Sequence, residues 1–152
     1  MRALLQRVTR ADVGLVGDDG AETPLAAIGP GLVVLVCAEK QDTDETAEFF
    51  ARKISDLRVF EDDQGKTNLS IKDVGGELLA ISQFTLAAEW KKGNRPGFSN
   101  AAPPDMAEPL YGRFIEFLKA EGVPVKCGQF RSHMRIDLVN DGPFTLWMSS
   151  DD

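Results

Sequence analysis

Apolar and polar residues alternate over much of the chain, and this pattern predicts several β-strands. The N-terminal stretch "ALLQRVTRADVGL" has the spacing of an amphipathic strand. A turn at Gly29-Pro30-Gly31 precedes an apolar run from Leu32 to Ala38, which predicts a strand buried on both faces. Further strands are predicted at each end of "LRVFEDDQGKTNLSI", from Leu78 towards Leu86, and in "GVPVKCGQF", "HMRIDLV" and "FTLWM".

Two other stretches carry apolar residues at steps of three and four, the spacing of an amphipathic helix. The first helix is predicted to begin near Asp42, which forms a capping pattern with Glu45. Its apolar stripe consists of Ala47, Phe50, Ala51, Ile54 and Leu57. The second helix is predicted from about Asp105 to Glu121, and Pro109 fits it only near the first turn or at a kink. Its stripe consists of Leu110, Phe114, Phe117 and Leu118. Mostly antiparallel strands covered by two helices give a predicted α+β fold.

The length of 152 residues suits one domain, so we expect a single domain over residues 1–152. No apolar run approaches the roughly 20 residues that a membrane-spanning helix needs. The N-terminus has the pattern of an amphipathic strand rather than of a signal peptide. Cys37 and Cys127 are too few for a disulfide framework, and we expect them to be buried free thiols in a reducing cytosol. A cytoplasmic location is therefore predicted.

The charge of the chain limits the functions that it can have. A formal net charge of −7 argues against broad, sequence-independent binding of nucleic acid, although it permits a local basic patch. The only histidine is His133, which counts against a Ser-His-Asp or Cys-His apparatus and against a zinc site. Two basic segments could meet in a phosphate-contacting patch or could simply be solvated. Their members are Lys91, Lys92 and Arg95 in one, and Arg131, His133 and Arg135 in the other.

Polar residues interrupt the predicted strand from Ile81 to Leu86. If this segment is extended, Ser82 and Phe84 face one side of the sheet, while Gln83 and Thr85 face the other. The spacing alone favours a half-exposed strand whose polar face is in water. A serine or threonine without a neighbouring base is a weak nucleophile.

A second candidate segment is "LVNDGPFTLWM", from Leu138 to Met148. Asn140-Asp141-Gly142-Pro143 has the composition of a tight turn between two strands. An X-Pro peptide bond can be cis, and the sequence does not fix its isomer. Backbone carbonyls held in a fixed pose there could accept hydrogen bonds from an ammonium group.

Taken together, these stretches resemble the D-aminoacyl-tRNA deacylase family over almost the whole chain, from Met1 to about Met148. The resemblance lies in "MRALLQRVTRADV", "IGPGLVVLV", "DVGGELL", "SQFTL", "KGNRP", "AAPP" and "LVNDGPFT". The order and separation of Ser-Gln-Phe-Thr and the later Asn-x-Gly-Pro-x-Thr are specific. The resemblance implies a homodimer of a β-barrel-like domain. It also implies an esterase that cleaves the bond between a D-amino acid and the acceptor end of tRNA.

The resemblance also assigns roles to individual residues. The family's Ser-Gln-Phe-Thr motif corresponds to Ser82, Gln83, Phe84 and Thr85, the implied catalytic residues. Its Gly-cisPro motif is implied to reach into the pocket of the other subunit and to select substrate handedness. The residues implied in this selection are Gly142, Pro143, Arg7, Met134 and Asn140. Lys91, Lys92 and Arg95 are the candidate tRNA contacts.

The implied chemistry requires neither a cofactor nor a metal. The resemblance implies that the terminal ribose 2′-OH of the tRNA would assist the attack and that the protein would position the ester, for instance through the backbone N–H of Phe84. Thr85 as nucleophile is the less favoured alternative. The carbonyls of Gly142 and Pro143 would bind the α-ammonium group and exclude an L side chain. Glycine has no side chain, so glycine mischarged on tRNA(Ala) should also be accepted.

Some positions depart from the family pattern. Phe144 replaces a small aliphatic residue, and Arg131, His133 and Arg135 stand where acidic, small or neutral residues are usual. Two other functions remain open. One is a non-catalytic nucleic-acid-binding module of the same fold. The other is an esterase or peptidase with Thr85 or Ser82 as a covalent nucleophile.

Overall fold

A six-stranded sheet and three helices form the frame of the molecule. The computed structural model describes residues 1–151, so Asp152, the last residue of the predicted domain, lies outside the described residues. The strands are β1 (Arg2–Val16), β2 (Glu22–Ile28), β3 (Gly31–Cys37), β4 (Phe60–Glu61), β5 (Thr67–Leu69), β6 (Glu77–Ser82), β7 (Val125–Cys127) and β8 (Met134–Ser149). The helices are α1 (Asp44–Asp56), α2 (Ile71–Val74) and α3 (Pro104–Ala120), with a 3₁₀ turn at Phe84–Ala87.

The main sheet is mixed, and most of its strand pairs are antiparallel. Its order is β2-β1-β3-β6-β7, with β8 also paired to β1. The pairs that involve β1 are antiparallel, whereas β3–β6 and β6–β7 are parallel. The prediction of mostly antiparallel strands is confirmed, since three of the five pairs in this sheet are antiparallel. The two parallel pairs were not predicted, because parallel pairing depends on crossover connections, which strand patterns do not report. Lys126 Nζ of β7 donates to the Ala27 carbonyl of β2 at 2.5 Å, so the sheet curls into a nearly closed barrel.

Helices α1 and α3 cover one face of this sheet and bury the larger of two apolar cores. Phe50 and Ile54 of α1 and Phe114 and Leu118 of α3 are at most 1% exposed. Burial of each such side chain stabilises the fold by about 1.5–3 kcal/mol. A smaller core on the other face of the sheet consists of Val8, Ala11, Val13, Ile28, Val33, Leu79 and Ile81. The burial of β3 on both faces is confirmed by its contributions to both cores.

The helix ends differ from the prediction in detail. Thr43 caps α1 and forms a capping box with Thr46, so the predicted Asp42–Glu45 cap was wrong. Asp42 is buried instead, and its carboxylate accepts hydrogen bonds from the nitrogens of Met1 and Glu39 at 2.5 and 2.6 Å. The prediction of two helices missed α2, because four residues are too few to show a helical period.

Helix α3 is one residue displaced from its predicted bounds, and Pro109 lies inside it. The cysteine prediction was half right: Cys37 is buried, but Cys127 is exposed on the short strand β7. No helix within residues 1–151 has the length and apolar character to cross a membrane.

Candidate active site

The Ser-Gln-Phe-Thr segment lies where β6 ends and a 3₁₀ turn begins. The Gln83 N–H donates to the Val36 carbonyl at 2.8 Å, the last ladder bond of this strand. The chain then turns through Phe84–Ala87, so the predicted continuation of the strand to Leu86 was wrong. The Gln83 amide donates to Thr85 Oγ1 at 3.0 Å, so these two side chains lie together as predicted. The two predicted faces are not separated, however, because all four residues of the motif line one cavity. Beyond Gln83 the segment is no longer part of the sheet.

This turn forms one wall of a cavity of about 850 Å³, a volume typical of small-molecule sites. Met134 of β8 lies on its lining, as do His133 and the rest of the loop that precedes β8. Phe84 is 58% exposed at this site and packs edge-to-face with Phe98, with their ring centroids 5.1 Å apart. The predicted catalytic residues thus share one largely apolar cavity. Its lining includes Cys37, Ile81, Ser82, Gln83, Phe84, Thr85, Phe98, Pro103, Phe130, Arg131, His133, Met134 and Ile136.

The side chains in this cavity include no activated nucleophile. Thr85 Oγ1 accepts a hydrogen bond from an amide, which does not increase its nucleophilicity. Burial, followed by the negative charge of Glu39, raises the pKa of the Cys37 thiol to about 11, so this thiol is protonated at neutral pH. The His133 ring forms no hydrogen bond with any other residue between 1 and 151. Phe84 and Thr85 are the first residues of the 3₁₀ turn, and the first N–H groups of a helical turn have no acceptor within it.

The segment around Gly142 is a bulge in one continuous strand. β8 pairs with β1 on both sides of it, with Asn140 opposite Val8 and Thr145 opposite Gln6. Four residues of β8 therefore stand opposite the single residue Arg7. The predicted turn between two strands was wrong, because the chain keeps its direction through Gly142-Pro143 instead of reversing.

The backbone at the bulge has a conformation that only glycine adopts readily. Gly142 has φ +134°, and a Cβ there would lie 2.8 Å from the Phe144 nitrogen. The Gly142-Pro143 peptide bond is cis, the isomer that the resemblance implies. Both residues are exposed.

Two side chains hold this bulge in place. Arg7 is 8% exposed; its Nε donates to the Asp141 carbonyl at 3.1 Å and its Nη1 to the Val59 carbonyl at 2.6 Å. The same guanidinium lies 5.1 Å from the centroid of the Phe144 ring, a cation–π contact. Asn140 spans the base of the bulge, because its Oδ1 accepts from the Phe144 N–H at 2.9 Å and its Nδ2 donates to Thr145 Oγ1 at 2.8 Å.

The fold therefore divides the predicted site residues of one chain between two places. Ser82, Gln83, Phe84, Thr85 and Met134 line the cavity. The bulge lies elsewhere on the sheet, and none of its residues, nor Arg7 and Asn140 that hold it, lines this cavity.

The predicted basic patch is also divided. Lys91, Lys92 and Arg95 line a second cavity of about 660 Å³, whereas Arg131 and His133 line the first. Arg135 pairs with Glu22 at 3.4 Å. The two basic segments thus line different cavities, and their joint contact with phosphates stays a prediction.

Two residues of the second cavity, Arg2 and Trp90, were not predicted from the sequence. For Trp90 a signal was present, because an aromatic residue beside a basic loop is typical of nucleic-acid-binding surfaces. For Arg2 there was none, since it lies in a separate strand. Within residues 1–151, no three His, Cys, Asp or Glu side chains are grouped as a metal site would require.

Comparisons with known proteins identify a family for this chain. The model of the D-Tyr-tRNA(Tyr) deacylase family matches residues 4–149. A D-aminoacyl-tRNA deacylase of Paracoccus denitrificans is 51% identical over 152 residues, covering 100% of this chain and 99% of that relative. A D-aminoacyl-tRNA deacylase of Thermotoga petrophila is 49% identical, covering 99% and 97%.

Two solved structures have the same fold. A structure described as c-Myc DNA Unwinding Element Binding Protein matches with a TM-score of 0.88 and 40% identity over 99% of both chains. A probable eukaryotic D-amino acid tRNA deacylase matches with a TM-score of 0.79 over 97% of both chains. Its identity is 20%, so it supports the fold alone.

Proposed function

The chain belongs to the D-Tyr-tRNA(Tyr) deacylase family, and we propose that it hydrolyses the ester that joins a D-amino acid to tRNA. The products are the free D-amino acid and a tRNA with free ribose hydroxyls. The observation that supports this most directly is the cavity at the end of β6, where Ser82 to Thr85 present backbone and polar groups in an apolar surrounding. Such a cavity can exclude water from most of a substrate and still bind one polar centre.

We propose that the protein contributes position and polarisation rather than a nucleophile. The N–H of Phe84, at the start of the 3₁₀ turn, donates to the ester carbonyl and stabilises the negative charge that develops on its oxygen. The terminal ribose 2′-OH assists the attack on the same carbonyl, held close to it by the binding of the substrate. The proposed reaction uses no metal and no cofactor.

Thr85 as a covalent nucleophile has less support. Its hydroxyl is the acceptor of the Gln83 amide, and no base forms a hydrogen bond with it among residues 1–151. A serine or threonine nucleophile needs such a base.

We further propose that the protein acts as a homodimer, in which Gly142 and Pro143 of one copy enter the cavity of the other. Two observations support this arrangement: both residues are exposed, and they lie apart from the cavity of their own chain. Their carbonyls would accept hydrogen bonds from the α-ammonium group and leave no space for an L side chain. Glycine on tRNA(Ala) would pass this filter because it lacks a side chain.

A non-catalytic nucleic-acid-binding module is the second candidate. One solved relative, which is 40% identical, is a c-Myc DNA Unwinding Element Binding Protein. The net charge of −7 makes broad nucleic-acid binding unfavourable for this chain. Turnover of aminoacyl-tRNA separates the two functions, because a binding module would release no amino acid.

The test is the release of D-tyrosine from charged tRNA in the presence of a chelator, with L-tyrosyl-tRNA as the control. We expect hydrolysis of the D ester only. Phe84→Pro removes the donor N–H, yet proline fits the first position of a helical turn. We expect it to lower kcat about 100-fold. The matched variant Phe84→Leu keeps the N–H and should retain most of the rate. No hydrolysis of any D-aminoacyl-tRNA by the parent chain would refute the proposal.

A further inference from the structure

The second cavity has no part in the ester chemistry, yet its lining has a distinct composition. Three cationic side chains of one loop, Lys91, Lys92 and Arg95, surround it together with Arg2 and the indole of Trp90. We propose that this basic cavity binds the single-stranded RNA segment that immediately precedes the aminoacylated ribose. The inference rests on the proposed deacylase function and adds a separate nucleotide subsite to it.

The cations of the loop are available for an anion. Within residues 1–151, neither lysine nor Arg95 has a carboxylate oxygen within 4.0 Å. Glu89 also lines the cavity, but its Oε1 already accepts a hydrogen bond from Ser99 Oγ at 2.5 Å. In a chain of net charge −7, such a group of unpaired cations is a local region that attracts phosphates.

Trp90 adds a feature that favours nucleic acid over an acidic peptide. Its side chain is 70% exposed beside the lysines, although a large apolar ring in water is unfavourable without a partner. Exposed aromatic rings among cations are the usual platform for unpaired bases, which stack on the ring while the backbone meets the positive charges. A single strand offers both the unstacked base and the phosphates.

The basic cavity lies beside the cavity at the end of β6, which is the proposed site of the ester and is called the ester cavity below. One substrate molecule can therefore occupy both cavities. Glu89 and Gly97 exchange backbone hydrogen bonds of 2.8 and 2.9 Å at the base of the loop, and Phe98, the next residue, lines the ester cavity. Arg2 contributes to the basic cavity and donates from Nη1 to the Leu86 carbonyl of the 3₁₀ turn at 3.3 Å. Residues of the segment 89–98 thus line both cavities. An RNA strand that leaves the ester cavity can therefore enter the basic cavity.

The first test measures binding of a short RNA that ends in CCA and carries no amino acid. In a Trp147→Phe background, Trp90 is the only tryptophan, and we expect the RNA to quench its fluorescence. Lys92→Ala should reduce the slope of log affinity against log salt by about 0.7, the value for one phosphate contact on a single strand. The matched control is Lys66→Ala, an exposed lysine in the turn between β4 and β5, which should leave the slope unchanged. Quenching by an acidic peptide but not by the RNA would overturn the proposal.

The second test separates the subsite from the chemistry. Trp90→Ala should raise KM for D-aminoacyl-tRNA about tenfold and leave kcat unchanged, because one stacked base is lost. D-aminoacyl-adenosine lacks the upstream nucleotides, so the variant should hydrolyse it as the parent does. An unchanged KM for tRNA, or an equal loss with both substrates, would overturn the subsite. If the parent hydrolyses neither substrate, the deacylase function fails, and the fluorescence titration still decides whether RNA binds here.

Discussion

Arg7 of β1 donates from Nε to the carbonyl of Asp141 in the bulge of β8, at 3.1 Å. The same guanidinium reaches the Val59 carbonyl at 2.6 Å and lies over the Phe144 ring. One planar, nearly buried cation thus connects the bulge to the body of the fold. Phe144, which departs from the family pattern, supplies one of these contacts.

We expect Arg7→Lys to loosen the bulge, because an ammonium group cannot reproduce the planar fork that contacts both carbonyls and the ring. Loss of charged hydrogen bonds from a buried site should lower the free energy of unfolding by about 1.5–3 kcal/mol. If the bulge selects handedness, the ratio of D to L hydrolysis should also fall. Thermal melting and parallel assays with both tyrosyl-tRNAs measure the two effects. Arg10→Lys is the control, since the Arg10–Asp137 pair is exposed and its loss should change stability little.

Mixing of two inactive variants tests whether the site is shared between subunits. Gly142→Ala should damage the bulge, because φ is +134° and the new Cβ would contact the Phe144 nitrogen. Phe84→Pro should damage the cavity. After co-refolding of equal amounts, half of the dimers are mixed and each has one intact site, so activity should return to about one quarter of the parent rate. A site formed within one chain predicts no recovery.

The role of Thr85 is tested by Thr85→Val, which removes the hydroxyl and keeps the shape. If the ribose 2′-OH assists the attack, we expect the variant to retain kcat within about tenfold. A tRNA with a 2′-deoxy terminal adenosine should lose at least about 100-fold with the parent enzyme. The reverse result, with an inactive variant and a competent deoxy substrate, would assign the nucleophile to Thr85.

The two cysteines should differ in alkylation. Cys127 is exposed and should react with iodoacetamide at pH 8, whereas the buried Cys37 should stay unmodified in the folded protein. Mass spectrometry of digested protein distinguishes the two sites.

Stability should also depend on Cys37 at high pH. The folded-state pKa of this thiol, about 11, lies above the ordinary value of 9.0. Its contribution to the free energy of unfolding is therefore fully present below pH 9 and is lost as the pH rises towards 11. Melting temperatures of the parent should therefore fall more steeply over this window than those of Cys37→Ala. Equal slopes would show that the thiol does not ionise with unfolding there.

The local sequence pattern predicted several helices and strands correctly, because the side chains that face the core recur with the period of the helix or the strand. The stripe of α1 and the apolar run of β3 were identified because each side that packs on the core must be apolar. The pairing of Ser-Gln-Phe-Thr with Asn-x-Gly-Pro-x-Thr also identified the family, which its family model and relatives then showed. These patterns lie within short segments, so they can be recognised without knowing which residues pack against them.

The tertiary structure decided the geometry of the candidate site. Asn140, Gly142 and Pro143 suit a turn and a bulge equally well, and only the pairing of β8 with β1 on both sides selects the bulge. The strand from Leu78 could have continued through Thr85, but the hydrogen bond between Gln83 and Val36 is the last that β3 provides. The same holds for the division of the basic residues between two cavities. Each of these outcomes depends on a partner distant in the sequence, so no local pattern could contain it.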